Sequence, residues 1–357
     1  MAATNRYRLP EKAATREMSE TNKNSNPFTR TRLALALVLI LCIGWGTDAF
    51  LYWKRPVDPK GSPLLVDIPP GRGLAGISQD LYRLGIIQRP LYFQLFTRIS
   101  SRSRPIMAGE YQLSAAMTPG DIIEILSTGK VYLHRVTIPE GFTLRQIATL
   151  VSSMGLVAEN RFLEVALDVE LVRRLEIDGP SLEGYLFPDT YLFPKGMAVE
   201  KMIRVMVGRF RQIVGPILEQ ELPGRGLSVH QIITLASIIE KETGLEEERP
   251  LVASVFTNRL RRNMRLESDP TVIYGVEDFA GDITRKHLRT PTPYNTYLIT
   301  GLPPGPIANP GLSSIQAALR PAQSDYLFFV ARKDKTHVFS RTWEEHEKAV
   351  RLHQMVR

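Results

Sequence analysis

A chain of 357 residues, 43% hydrophobic and 23% charged, can bury a substantial core and has room for about two or three structural units. That balance excludes a disordered or fibrous protein. The net charge of +8 suits nucleic acid, an anionic lipid surface or an acidic polymer equally well, so location has to choose among them.

The first predicted element is an apolar run over residues 33–53, LALALVLILCIGWGTDAFLYW, broken only by Thr47 and Asp48. It reaches the roughly 20 residues that a helix needs to cross a bilayer. Phe50, Tyr52 and Trp53 form an aromatic collar at its exit. The tail before it, residues 1–32, carries Arg6, Arg8, Lys12, Arg16, Lys23, Arg30 and Arg32 against Glu11, Glu17 and Glu20. The positive-inside bias therefore predicts a cytoplasmic tail and an exported remainder. Thr47-Asp48-Ala49 looks like a signal-peptidase site, but the long charged lead exceeds a whole signal peptide of roughly 15–30 residues, which favours an uncleaved anchor. The sole cysteine, Cys42, follows Leu41, which argues against a lipoprotein box, and it lies inside the span. The exported part thus has no thiol chemistry and no disulfide, and nucleic acid is not expected as a partner.

Residues 54–63, KRPVDPKGSP, read as a linker. An internal echo follows, with IPPGRGLAGISQDLYRLGII from Ile68 aligning without gaps on IPEGFTLRQIATLVSSMGLV from Ile138. In each copy a strand ends at Pro-x-Gly and a helix follows, on Leu74, Ile77, Leu81 and Leu84, or on Leu144, Ile147, Val151 and Met154. Between the copies a strand, a turn and a helix from Thr118 or Pro119 to Gly129 are predicted. Residues 64–135 resemble a small βααβ LysM-like module of the kind found beside peptidoglycan enzymes, and either glycan binding or a spacer role suits such a unit. Arg72, Arg83, Arg89, Arg98, Arg102 and Arg104 read as its solvated face.

SLEGYLFPDTYLFP, residues 181–194, predicts two strand-like pieces about a turn at Pro188-Asp189. Tyr185 and Tyr191 either form a hairpin wall or offer flat rings to the C–H face of a sugar. LSVHQIITLASIIEKET, residues 227–243, reads as a buried helix started by a Ser228/Gln231 capping box. At 100° per residue His230, Thr234, Ser237 and Lys241 form a polar stripe, while Glu240 falls among Val229, Ile233 and Ala236. Glu242 points some 200° away from Glu240, so the two cannot be the facing carboxylates, about 5–9 Å apart, of an ordinary glycosidase. Glu240 is either a buried ion pair, with Arg259 or Arg265 the obvious partners, or a desolvated carboxyl able to hold and donate a proton. Further on come a helix at 252–260, the polar cluster around Asp269, and a stiff Pro/Gly loop between Gly301 and Gly311 suited to a cleft wall.

Together, ASIIEKET, RLESDPTVIYG, YNTYLITGLPPGPIANPG, LEGYLFPDTY and HVFS-x-TWEEH resemble the YceG-like family of endolytic peptidoglycan (murein) transglycosylases. The resemblance covers nearly all of the chain outside the N-terminal tail. It implies a plasma-membrane protein that cuts glycan strands internally, near membrane-bound cell-wall synthases and without a cofactor or metal. It also implies that Glu240 is the catalytic carboxyl, with Glu242 second because it lies in the same string. One carboxyl suffices for the reaction, since a lytic transglycosylase protonates the leaving oxygen and then helps the C6 hydroxyl close a 1,6-anhydro ring without water. By motif position Tyr294, Asn295, Tyr297 and Asn309 are expected in the substrate cleft, Asp269 and Glu183 as supporting groups or alternative acids, and His337 and His346 as orienting or structural groups. A zinc reading fails on spacing, because His346-Glu347 has no histidine at the HExxH position. A non-catalytic wall-binding scaffold, in which Glu240 is merely paired, stays open as the alternative function. The expected fold class is α+β: one transmembrane helix, the LysM-like unit and a mixed catalytic domain over 136–357.

Overall fold

The computed structural model describes residues 27–100, 105–276, 279 and 281–353. The basic tail residues Arg6, Arg8, Lys12, Arg16 and Lys23, the acidic Glu11, Glu17 and Glu20, and Arg102 and Arg104 lie outside the described residues. The architecture is mixed α+β with one apolar helix near the N-terminus.

In chain order the first elements are α1 (Pro27–Lys54), β1 (Pro63–Ile68), α2 (Leu74–Arg83), α3 (Pro90–Ser100), β2 (Gly109–Ser114) and α4 (Pro119–Thr128). β1 and β2 pair in a two-stranded sheet. One compact unit gathers α1, α2, α3 and the start of α4, and the rest of the described chain forms the other. Residues Thr31–Lys54 of α1, with a mean hydropathy of 2.1, are long and apolar enough to cross a membrane. Its side chains from Leu33 to Ile43 are exposed. Towards its end, Tyr52 and Trp53 pack on Phe96. Asp48 accepts hydrogen bonds from Arg89 and, at 3.0 Å, from the Tyr92 hydroxyl.

The second unit begins its helical part by repeating the first turn. β3 (Leu133–Thr137) runs through Pro-Glu-Gly into α5 (Leu144–Ser153), as β1 runs through Pro-Pro-Gly into α2. Gly71 and Gly141 sit at φ 79° and 74° in the equivalent turns, backbone that a Cβ disfavours. α5 starts on a Thr143/Gln146 capping box and buries Leu144, Ile147, Ala148 and Val151. α6 (Glu159–Ala166) and α7 (Val169–Arg174) close over it.

β4 (Thr190–Pro194) pairs antiparallel with β3, Val136 opposite Tyr191. The expected hairpin within 181–194 is therefore corrected: its first half forms bends and turns, and the strand finds a partner more than fifty residues earlier. Gly184 at φ 90° and Pro188, which has no N–H, keep the first half out of a ladder.

α8 (Val199–Glu221) ties two hydrophobic clusters together. Its first half gives Met202, Ile203 and Met206 to the cluster around α5, and its second half gives Phe210, Val214 and Leu218 to the cluster around α9 (Val229–Glu242). α9 begins on the Ser228/Gln231 capping box and buries every residue from Ile232 to Ile239. α10 (Arg249–Arg261), α11 (Asp269–Gly275), α12 (Arg285–Leu288) and α13 (Leu312–Leu319) follow. α9 packs against both α10 and α13. The β5 (Phe328–Ala331) and β6 (His337–Ser340) hairpin and α14 (Trp343–His353) complete the unit.

Candidate active site

Glu240 occupies the last turn of α9, where chain reversal at Gly244 brings the start of α10 back beside it. Its Oε1 accepts from Nη2 of Arg249 at 3.1 Å, and its Oε2 accepts from the Gly311 N–H at 2.9 Å. Only 6% of the side chain is exposed. Glu240 is thus a paired carboxyl, not an isolated one on an apolar wall, and its partner is Arg249 in place of the expected Arg259 or Arg265. Arg259 is committed elsewhere, to the carbonyls of Leu327, Arg265 and Leu266 and to Glu267, while Arg265 donates to the Tyr297 carbonyl.

Arg249 is itself buried and holds three groups. Nη1 donates to Ser313 Oγ at 2.5 Å, and Nη2 also lies 3.6 Å from Oε2 of Glu140. Its Nε has no partner among the described residues. Glu140 belongs to the Pro-Glu-Gly turn before α5 and presses on Gly311, where an added Cβ would fall 1.9 Å from its Oε1. Burial and the nearby Glu240 charge push the Glu140 carboxyl above its usual range. Sequence reasoning missed both residues. The signal for Arg249 was its place at the first turn of a helix, where the dipole disfavours a cation and a specific partner is implied.

The same turn reaches a second carboxyl. Glu183 is 3% exposed. It accepts from the Leu144 N–H at 3.1 Å, the Tyr274 hydroxyl at 3.1 Å and Asn309 Nδ2 at 3.0 Å. Burial outweighs these donors and raises its pKa to about 8. It lines a groove of about 800 Å³ together with Leu144, Lys241, Ile273, Tyr274 and Ile307. Lys241 Nζ reaches the Gly141 carbonyl at 3.4 Å. Gly141 and Phe142 exchange backbone contacts with Asn309 of the Pro/Gly loop: the Gly141 N–H donates to the Asn309 carbonyl, and the Asn309 N–H to that of Phe142, each at 2.8 Å.

Glu242 faces a different neighbour. Its Oε1 accepts from Ser268 Oγ at 2.5 Å, and burial, with Asp269 adding like charge, pushes it up to about 7. Asp269 accepts from the Tyr297 hydroxyl at 2.7 Å. The two carboxyls of α9 therefore have separate partners.

Several expected cleft residues are buried or have their polar groups engaged by the protein. Tyr185 is buried in the core, its hydroxyl 3.1 Å from His230 Nδ1 and its ring edge-on to Phe210. Tyr191 stacks on Phe193 and donates to the Phe187 carbonyl at 2.6 Å. Both rings are buried in the two clusters that α8 joins, which leaves little ring surface for a sugar. Asn295, fully buried, pins its loop through the Leu288 and Thr290 carbonyls and the Tyr297 N–H. Asn309 spends its amide on Glu183, the Phe142 carbonyl and the Leu186 N–H, so it helps to order the site. Tyr294 and Tyr297 are half-buried, Tyr294 packing on Tyr274 with ring centroids 4.8 Å apart. His337 bonds Glu248 through Nδ1 at 2.6 Å, and His346 stacks on Phe328.

Residues 66–352 match the YceG-like family. The chain is 34% identical over 321 residues to a Bacillus subtilis (strain 168) protein named endolytic murein transglycosylase, covering 84% of this chain and 89% of that one. A Streptococcus pneumoniae (strain D39) protein of the same name is 29% identical over 332 residues, which span 84% of this chain and 60% of the longer relative. A crystal structure of a YceG-like protein from Listeria monocytogenes superposes with a TM-score of 0.56 at 37% identity, over 81% of this chain and all of that one.

Proposed function

The chain belongs to the YceG-like family, and from that premise we propose that it is an endolytic murein transglycosylase, a lyase that cuts MurNAc–GlcNAc bonds inside peptidoglycan strands. The observation that carries the reading is the 34% identity to an enzyme of that name along 84% of the chain. Glu240 is the catalytic carboxyl. Protonated, it gives its proton to the GlcNAc O4 as the MurNAc C1–O4 bond breaks. As carboxylate it takes the proton of the same MurNAc C6 hydroxyl as O6 bonds to C1. The 1,6-anhydro ring closes with no water consumed, and Glu240 ends protonated again. The Gly311 N–H and Arg249 hold both of its oxygens, so its orientation is fixed before substrate arrives.

α1 anchors the enzyme in the plasma membrane with its N-terminus in the cytoplasm, and the segment over residues 64–135 is LysM-like, serving as a spacer or a glycan contact. Membrane-bound synthases supply the nascent strand, whose length the cut limits. Digestion of uncrosslinked glycan by the full chain in detergent tests the reading. Mass analysis should find 1,6-anhydro-muramic ends, one water lighter than hydrolysis products, and dominant reducing ends would overturn it.

A second reading gives the acid role to Glu183, which lines the groove and holds a proton at neutral pH. Its three donors tie the α5 turn, α11 and the Pro/Gly loop together, which equally suits a structural clamp. Glu183→Gln decides between them: a folded variant that no longer cuts supports acid duty, and one that cuts normally removes it.

A further inference from the structure

We propose that Glu140 is a further functional residue of the site, a positioning residue that acts on Glu240 through the guanidinium they share. The proposal rests on the assignment of Glu240 as the catalytic carboxyl.

Two independent links join Glu140 to Glu240. The first is Arg249, whose Nη2 lies 3.1 Å from Oε1 of Glu240 and 3.6 Å from Oε2 of Glu140. The second is Gly311, whose N–H bonds Glu240 while its Cα supports the Glu140 carboxyl. Any side chain at position 311 would collide with Glu140, so the close approach depends on glycine there. The turn backbone also runs close to Glu240, because a Cβ added to Gly141 would fall 3.4 Å from its Cγ.

The two carboxyls differ in solvent access. The Glu140 side chain is 48% exposed and that of Glu240 6%. Glu140 is therefore the water-facing member of a carboxyl, guanidinium, carboxyl arrangement. A buried carboxylate held by an undivided guanidinium gives up its charge reluctantly, which works against donating a proton to a leaving oxygen. A second carboxylate on the same guanidinium offsets that hold. The charged groups facing Glu140 are Glu240 on α9, Arg249 on α10 and Glu246 in the turn between them. Lys241 approaches the backbone of the adjacent Gly141. Burial and the Glu240 charge raise Glu140. Among the described residues Arg249 Nε has no partner, so the groups described around it do not saturate the guanidinium.

The test is the pH–rate profile of strand cleavage by the full chain, wild type against Glu140→Gln, with thermal unfolding measured alongside. Removing the like charge leaves Arg249 to Glu240 alone, so the alkaline limb should move down by roughly half to one pH unit, with near wild-type rates restored below it. Glu140→Asp, which keeps the charge, should retain the wild-type limb at a lower rate. The proposal is overturned if the Glu140→Gln profile superimposes on wild type, or if its rate falls by one factor at every pH with a lowered melting temperature. Should Glu140→Gln fail to fold, a displaced limb in Glu140→Asp overturns it and an unmoved limb supports it. Failure of the underlying assignment looks different, because Glu240→Gln would then still cut.

Discussion

Arg249 and Glu240, nine positions apart in the chain, meet at 3.1 Å with side chains 9% and 6% exposed. Their contact depends on the chain reversal that stacks the start of α10 on the end of α9. A buried pair of this kind contributes little net stability while intact, but breaking it leaves a charge without a counterion.

Arg249→Ala should accordingly destabilise the fold by about 3–5 kcal/mol. Adding Glu240→Gln to that variant removes the stranded carboxylate, so the double variant should be more stable than Arg249→Ala alone. Urea unfolding of the four proteins checks this, and strict additivity would show that the pair is not coupled.

The two carboxyls of α9 should respond differently to the same change. Glu240→Gln should lower strand cleavage by about 10²–10⁴-fold, the usual loss when an acid-base group goes, while keeping the fold. Glu242→Gln alters a buried bond to Ser268 and should change the melting temperature more than the rate. A folded, inactive Glu242→Gln beside an active Glu240→Gln would reverse the assignment.

Stability should also report the proton on Glu183. Its pKa rises on folding from 4.5 to about 8, so the folded state binds more protons than the unfolded state across that window. The contribution is complete below about pH 4.5, falls as pH rises and is gone above about 8. The stability of wild type relative to Glu183→Gln should therefore decline between pH 5 and 8, by up to about 1.4 kcal/mol per pH unit. A flat difference would mean that Glu183 is ionised in the folded protein at neutral pH.

Tyr191→Phe removes only the hydroxyl that bonds the Phe187 carbonyl. It should cost about 1 kcal/mol of stability and leave KM for glycan unchanged. A raised KM with unchanged unfolding would return this ring to the substrate cleft.

Local features were legible before any tertiary contact was known. The α9 start at Ser228, the Pro-x-Gly turns before α2 and α5 and the apolar span of α1 follow from capping chemistry, glycine conformation and hydropathy, each of which acts within a few residues. The angular separation of Glu240 and Glu242 was legible for the same reason, since helical periodicity is local.

What the sequence by itself determined, then, was the helix that presents Glu240 and Glu242 and the different directions in which they point. Only the tertiary structure decided their partners. Arg249 took Glu240 because α10 folds back on α9, leaving Arg259 to bond the carbonyl of Leu327, just before β5. β4 paired with β3 and drew Tyr191 into the core, and Asn309 met Glu183 across 126 positions of chain. Such pairings depend on which surfaces of distant elements are brought together, and neither residue spacing nor local propensity records that choice.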